Sequence, residues 1–192
     1  MIKQSNRYVL FDGMSTRTAF ANAEGLTKIE TIGELRAHIA DNYGAGFKVW
    51  FKPGHDQKEA LHAVSKFIRF MQESRENKGH RVAPVTLFVD ELSDAAPVSG
   101  LKATQDGFVL LCKQGRHFDI SVVGASQRPA QVSTEFRGNV SCRAVFNLTE
   151  PNDIRAIGDA MGREIEETVR TLPKYQFIFS DEGVLSRGQT RP

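Results

Sequence analysis

Cysteine is scarce in this sequence and long apolar runs are absent, which excludes several classes of protein. Only two residues, Cys112 and Cys142, are cysteines, and they lack the spacing of a metal site. A disulfide-rich secreted domain and a zinc domain are therefore excluded. No apolar stretch approaches the roughly 20 residues that a membrane-spanning helix needs, and residues 1–7 lack the apolar core of a signal peptide. We expect a soluble, cytoplasmic protein without a membrane segment.

A strong excess of one charge is also absent. The chain has 25 Lys and Arg against 23 Asp and Glu, a net charge of +2. This excess of positive charge is smaller than the excess that most nucleic-acid-binding domains concentrate on one face. It therefore identifies no partner by itself. The histidines show no metal-like spacing, and no serine stands in a nucleophile-elbow motif. With 192 residues and 40% hydrophobic content, the composition predicts a single globular domain spanning residues 1–192.

The pattern along the chain alternates short apolar runs with amphipathic stretches. Strands are predicted at 7–11, 47–51, 85–91 and 119–124, and helices at 31–42, 57–76 and 107–114, whereas 14–28 reads as irregular. Beyond these, the pattern predicts a short helix or turn at 131–136, a strand at 143–148, helices at 151–161 and 163–171, and a hairpin of 176–180 with 183–187. Such alternation predicts an α/β fold with a mostly parallel sheet, flanking helices and a C-terminal hairpin.

Two consecutive strands of this pattern end in polar side chains. The first, at 85–91, ends in the two carboxylates of Asp90 and Glu91. The second is followed by Gln127 and Arg128. Both strands are predicted to be buried, and the ligands of open α/β sheets gather at the carboxyl ends of the strands.

Two acids at a strand end suit a hydrated Mg²⁺ on a nucleotide phosphate and a base that orients water. The alternative is structural: Asp90 caps the next helix and Glu91 lies in its first turn. The second strand, with its own polar side chains at the same edge of the sheet, favours a functional site over a simple helix cap.

The residues around these strand ends resemble a known family. The segments LFVDEL, GRHFDISVVGASQRP and GNVSCRAVFNLTEPNDIRAIGDAMG resemble the FtsK/HerA superfamily of DNA-pumping ATPases, and most of all the small packaging ATPases of viruses and prophages. The resemblance covers residues 7–188 and implies a RecA-like P-loop NTPase core, a three-layer α/β/α arrangement. It implies that Asp90 holds Mg²⁺ beside ATP, that Glu91 activates the attacking water, and that Gln127 senses the γ-phosphate.

The resemblance also implies roles for three arginines. Arg116, just before the second of these strands, stands where the family often places an arginine that acts across a subunit boundary. Its structural alternative is a solvated cation at a helix end. Arg128 and Arg143 are candidates for contacts with the nucleotide or for inter-subunit roles, with Arg137 as a rival. Arg143 matches an arginine that opens the fifth strand in relatives.

One family element is missing, because no Gly-x-x-x-x-Gly-Lys-Ser/Thr occurs in the sequence. Residues 15–18 follow a strand, but Phe11 and Thr16 occupy positions where a phosphate-binding loop needs glycine. We therefore interpret 7–11 as the family's second strand and the chain as lacking the P-loop strand and helix. In the family the P-loop strand lies beside the strand that ends in the sensor. Its absence would leave two strand edges in need of a partner, unless the sheet closes over the gap or another chain fills it.

The resemblance implies an ATP-driven DNA translocation or genome-packaging subunit that hydrolyses ATP in a homo-oligomeric ring, with ATP and Mg²⁺ as cofactors and DNA as partner. A viral capsid or portal component is a further partner, and the location is then the host cytoplasm or the virion. The alternative is a non-catalytic homologue that acts as an interaction or regulatory subunit. A filamentous-phage assembly protein with a similar core is a more distant alternative. Such a protein would normally add a membrane segment, and this sequence contains no apolar run of that length.

Overall fold

The computed structural model describes residues 6–14, 21–22, 24–99 and 107–190. The chain divides into two compact units, Met1–Gln127 and Arg128–Pro192. In the described residues, the first unit contains a five-stranded β-sheet and the second a three-stranded one. None of the helices in the described part of the chain is long and apolar enough to cross a membrane. Residues 15–18, considered above as a degraded phosphate loop, lie outside the described residues.

The first unit is built on a parallel sheet with the strand order β2-β3-β1-β4-β5. Its strands are β1 (Arg7–Asp12), β2 (Thr27–Ile29), β3 (Phe47–Phe51), β4 (Val85–Asp90) and β5 (Ile120–Gly124). The predicted strands and their parallel arrangement are confirmed. The additional strand β2 falls in a stretch predicted to be irregular, since three residues are too short to show the alternation that identifies a strand.

Helices accompany this sheet. In the described part of the chain they include α1 (Ile32–Asn42), α2 (Gln57–Asn77), the short α3 (Leu92–Ala95) and α4 (Gly107–Gln114), followed by a 3-10 turn at Gly115–Phe118. Helix α1 begins with a capping box, in which Thr31 accepts the Glu34 amide and Glu34 accepts the Thr31 amide. Asp56 caps α2 through the amide of Glu59. The predicted bounds of α1, α2 and α4 therefore hold to within a residue.

Helices α2 and α4 approach each other closely at Gly107. A Cβ atom there would lie 2.5 Å from the carbonyl oxygen of His62, so only glycine fits without a shift of backbone. The Gly107 amide donates to Nδ1 of His62 at 2.7 Å. This contact fixes the start of the helix that leads into β5.

The core of the first unit lies around its central strands. Val9, Phe11, Val49 and Leu87 are fully buried, and β4 is buried along most of its length. Strand β5 differs from the prediction, because only Ile120 is buried and the rest of the strand is exposed or half-buried. The physical reason is its place in the sheet: in the described residues β5 pairs with β4 alone.

The second unit contains an antiparallel sheet with the order β6-β7-β8. Its elements are α5 (Thr134–Asn139), β6 (Cys142–Val145), α6 (Pro151–Met161), α7 (Glu166–Thr171), β7 (Gln176–Asp181) and β8 (Val184–Gln189), with 3-10 turns at Pro129–Gln131 and Arg163–Ile165. The predicted hairpin is confirmed as β7 and β8, with its turn at Glu182 and Gly183.

Strand β6 begins one residue before, and ends three residues before, the predicted strand 143–148. It pairs antiparallel with β7 instead of joining the parallel sheet. A core beneath this sheet is formed by Val145, Ile157, Ile165, Val169, Leu172 and Ile178. That the two units together make up one ATPase-like domain stays a prediction.

Candidate functional site

The candidate site lies at the carboxyl ends of β4 and β5. The strands are parallel neighbours, so their ends meet at one edge of the sheet. The segments that follow are joined by backbone hydrogen bonds: the Ala125 amide donates to Val89 at 2.9 Å, and the Leu92 amide donates to Ala125 at 2.7 Å. These bonds hold the residues after each strand side by side, as the sequence pattern predicted.

The side chains of Glu91 and Gln127 are in direct contact there. Nε2 of Gln127 donates to Oε2 of Glu91 at 3.3 Å, and the Gln127 amide nitrogen lies 3.5 Å from Oε1. The hydroxyl of Ser93 donates to the same Oε1 at 3.1 Å. The structure thus brings together two of the predicted site residues, and it adds Ser93, which the sequence analysis did not identify.

The backbone of Glu91 is in the left-handed region, with φ 51° and ψ 57°. This conformation costs a residue with a side chain roughly 1–2 kcal/mol, and residues held in it cluster at functional sites. Glu91 stands at the N-cap position of α3, but its side chain makes no cap hydrogen bond. Asp90 is the last residue of β4. Glu91 therefore lies before the first turn of α3 and its side chain does not cap the helix, whereas the choice between the two roles of Asp90 stays open.

A third strand contributes a carboxylate to the same edge. Asp12 ends β1 and is the register partner of Asp90, so both side chains project from the same face of the sheet. Asp12 is fully buried and accepts a hydrogen bond from Nε1 of Trp50 at 3.1 Å. The strand predicted from the sequence ended at residue 11, so Asp12 was not identified as a site residue. The signal that could have identified it is the same as for Asp90: an acid directly after an apolar strand.

Arg128 has a structural partner in the second unit. Its Nε donates to Oδ2 of Asp153 at 2.8 Å, and the Ala130 amide donates to Oδ1 of the same carboxylate at 2.8 Å. Asp153 lies in the first turn of α6 and is only 1% exposed. This buried carboxylate could not be recognised from the sequence, because a first-turn acid is usually solvated. Contact of Arg128 with a nucleotide stays a prediction.

Arg143 is also bound to the backbone of the second unit. Its Nη2 donates to the carbonyl of Arg137 at 2.6 Å, and Nε of Arg137 donates to Val132 at 3.1 Å. Burial lowers the pKa of Arg143 from its ordinary value, although the group stays a cation at neutral pH. These bonds hold the segment around α5, and a role of Arg143 at the nucleotide stays a prediction.

Arg116 is not part of the cluster around Glu91. It is exposed and lies in the 3-10 turn that precedes β5, whereas Gln127 follows the opposite end of that strand. An arginine that acts on the nucleotide of a neighbouring subunit would have to lie away from the site of its own chain. The predicted role of Arg116 across a subunit boundary is compatible with this position and stays a prediction.

No preformed metal cage occurs in the described part of the chain: no group of three or more His, Cys, Asp or Glu side chains is arranged to hold an ion. Mg²⁺ on a nucleotide needs no such cage, since it is bound through one or two carboxylates together with phosphates and water. Asp90 at the end of β4, next to Glu91, fits this requirement.

No family model and no curated protein sequence matches the chain. Solved structures do match. The genome packaging NTPase B204 of Sulfolobus turreted icosahedral virus 2, in complex with AMPPCP, matches with a TM-score of 0.64 and 14% identity over 98% of each chain. B204 of Sulfolobus Turreted Icosahedral Virus, a DNA-packaging ATPase, matches with a TM-score of 0.61 and 13% identity, over 98% of this chain and 99% of that one.

At this identity the likeness establishes the fold. The chain has the fold of viral genome-packaging NTPases, with a mostly parallel five-stranded sheet, flanking helices and a C-terminal antiparallel hairpin. The resemblance to packaging ATPases that the sequence motifs indicated is confirmed at this level.

Proposed function

We propose, from the fold it shares with viral genome-packaging NTPases, that this chain is a subunit of an ATP-driven DNA-packaging motor of a virus or prophage. The observation that carries the proposal is the contact between Glu91 and Gln127 at the ends of two neighbouring parallel strands. A carboxylate and an amide in contact there supply a base for the attacking water and a group that responds to the γ-phosphate.

Asp90 would hold Mg²⁺ through its hydration shell, because it projects from the end of β4 beside Glu91. Mg²⁺ bound with ATP supplies charge neutralisation for the leaving phosphates. Within this chain, Glu91 orients and deprotonates water, and Gln127 couples the state of the phosphate to movement. The strained backbone of Glu91 supports this assignment, since such strain concentrates at active sites.

The phosphate-binding loop would be supplied at the edge of β5. The sequence contains no such loop motif, and in the described residues the outer edge of β5 has no strand partner. The edge Ile120–Gly124 carries no charge, proline or bulge of the kind that protects natural edges. By contrast, the opposite edge β2 is three residues long and carries Lys28. We propose that a further segment or another chain adds the P-loop strand to β5. In the experiments below, the complete motor is the assembly of this chain with the added P-loop strand and its loop.

A ring of identical subunits would place Arg116 of one chain at the nucleotide of its neighbour. Its exposure and its distance in sequence from Gln127 support such a role in trans. An arginine supplied in this way raises phosphoryl-transfer rates by about three to five orders of magnitude in related systems. DNA would be the partner that the motor moves, and a capsid or portal component would anchor the motor. The motor would act in the host cytoplasm or in the virion.

The missing loop motif favours a second candidate, a non-catalytic homologue that keeps the fold as an interaction or regulatory subunit. The contact of Glu91 with Gln127 argues against it. A subunit that never hydrolyses ATP has no chemical reason to keep a strained acid against an amide.

The test is DNA-stimulated ATP hydrolysis by the complete motor, with Gln127→Ala as variant. We expect DNA to stimulate hydrolysis by the wild type, and Gln127→Ala to lower the stimulated rate by about a hundredfold with nucleotide still bound. Gln131→Ala, an exposed glutamine four residues further along the chain, is the matched control. A complete motor without DNA-stimulated hydrolysis would establish the non-catalytic candidate, and equal rates for the two variants would remove Gln127 from the site.

A further inference from the structure

We infer that Ser93 is a positioning residue, which holds the carboxylate of Glu91 in the orientation that water activation requires. The inference rests on the proposed function. Its basis is the hydrogen bond from the Ser93 hydroxyl to Oε1 of Glu91, at 3.1 Å.

Ser93 is itself held firmly. It is only 6% exposed and lies in α3, directly after the residue whose amide donates to Ala125 on the neighbouring segment. The φ and ψ angles of Glu91 differ from those of α3, so its side chain leaves the backbone in a direction that a helical residue would not have. The hydroxyl of Ser93 meets it there. A donor on the same short segment keeps its position relative to the carboxylate when the segment moves as a body.

The two oxygens of the Glu91 carboxylate have different side-chain partners. Oε1 accepts the hydroxyl of Ser93, and Oε2 accepts the side-chain amide of Gln127. An amide that turns toward a phosphate must leave Oε2, whereas Ser93 has no such second task. The bond from Ser93 therefore persists when the bond from Gln127 is broken. A hydrogen bond to an ionised carboxylate is about twice as strong as a neutral one, so it can hold one side-chain rotamer.

Misplacement of a catalytic group by about 1 Å can cost two orders of magnitude in rate. A carboxylate released from Ser93 would still be an acceptor and a base, but it would reach the correct orientation in only a fraction of encounters. We expect the loss in kcat, with the binding of nucleotide unchanged.

The contact itself is tested in the chain without nucleotide, by urea unfolding of Ser93→Ala, Glu91→Ala and the double variant. We expect the two substitutions to be coupled by about tenfold in the unfolding equilibrium constant, which is ~1.4 kcal/mol. Additive effects would show that the hydroxyl does not hold the carboxylate, and they would overturn the inference whatever the motor does.

The positioning role is tested by kcat and KM for ATP in the complete motor. Ser93→Ala should lower kcat by about tenfold and leave KM unchanged, and Ser93→Thr, which keeps the hydroxyl, should restore kcat to within about threefold of the wild type. Ser65→Ala is the matched control. Ser65 is fully buried in α2, and its hydroxyl has no hydrogen-bond partner in the described structure.

Glu91→Gln in the same assay separates the two possible failures. If Glu91→Gln abolishes turnover while Ser93→Ala has the kcat of Ser65→Ala, the inference fails and the proposed function stands. If Glu91→Gln turns over at the wild-type rate, the proposed function fails and Ser93 has nothing to position.

Discussion

At the scale of single residues, the structure assigns partners that the sequence could not show. A strand followed by an acid is visible in the sequence, so Asp90 and Glu91 could be predicted as site residues. The left-handed backbone of Glu91 and the burial of Asp153 could not, because each depends on neighbours that are distant in sequence. Asp153 is buried because the guanidinium of Arg128 and the Ala130 amide compensate its charge.

This pair yields a prediction about Arg128. Arg128→Ala should lower the free energy of unfolding of the nucleotide-free chain by about 2 kcal/mol, because it removes a charged donor from a buried carboxylate. Asp153→Asn should cost less, since the side chain of Arg128 is already half-exposed and can be solvated. Urea unfolding measures both effects.

The control is Arg155→Ala. Arg155 is an exposed arginine on α6, the helix that contains Asp153, and its substitution should change the free energy of unfolding by less than about 0.5 kcal/mol. If Arg128→Ala and Arg155→Ala had the same free energy of unfolding, the pair of Arg128 with Asp153 would not stabilise the chain. Arg128 would then be assigned to ligand binding instead.

At the scale of elements, local signals decided which predictions succeeded. Helix α1 has its apolar spacing and its capping box within one short stretch, and α6 begins at Pro151 and ends before Gly162, so both were predicted to within a residue. The burial of β5 and the partner of β6 were not, because they depend on which strand lies alongside. An apolar strand has the same sequence at an edge as in the middle of a sheet.

The capping box of α1 yields a pH-dependent prediction. Hydrogen bonds from the amides of Glu30 and Thr31 to the Glu34 carboxylate lower the pKa of Glu34 below its ordinary value. Its contribution to stability is therefore present above the unfolded-state pKa of about 4.5, and is lost as the pH falls through the lower folded-state value. Glu34→Gln should destabilise the chain at pH 7 and flatten the pH dependence of unfolding below about 4.5.

Thr31→Ala removes the other half of the box and should cost about 1 kcal/mol at pH 7. Glu59→Gln, at the equivalent first-turn position of α2, is the matched control, since Asp56 caps that helix. Thermal unfolding at pH 3, 5 and 7 compares the three variants. An unchanged pH profile in Glu34→Gln would contradict the reciprocal bonds.

At the scale of the whole molecule, each unit has its own sheet, and the candidate site belongs to the first. Glu91, Ser93 and Gln127 all lie within Met1–Gln127, and Arg128 opens the second unit. The parallel sheet and the meeting of two polar strand ends could be predicted from the order of apolar runs, because parallel neighbours place their carboxyl ends at one edge. The contact of Glu91 with Gln127 turns that expected proximity into a site with a defined hydrogen-bonding pattern.

The outer edge of β5 also belongs to this scale, since β5 pairs with β4 alone among the residues that the structure describes. This edge is uncharged and half-buried along Val122 and Val123, which are the properties on which the proposed addition of a strand rests. The absence of a phosphate-binding motif from the sequence predicts two strand edges in need of a partner, one of them on the strand that ends in the sensor. Under the proposed function, this chain supplies the acids and the sensing amide of a nucleotide site, and the phosphate loop is added at β5.

The most direct test of this account is a comparison of Glu91→Gln with Asp90→Asn in the complete motor, measuring nucleotide affinity and steady-state ATP hydrolysis together. Glu91→Gln keeps the size of the side chain but cannot take a proton, so we predict wild-type affinity with turnover lowered by about a thousandfold or more. Asp90→Asn removes charge beside the hydration shell of Mg²⁺, so we predict weaker Mg²⁺-dependent binding by about tenfold or more. Wild-type affinity and wild-type turnover in both variants would contradict the assignment of these acids to an ATPase site.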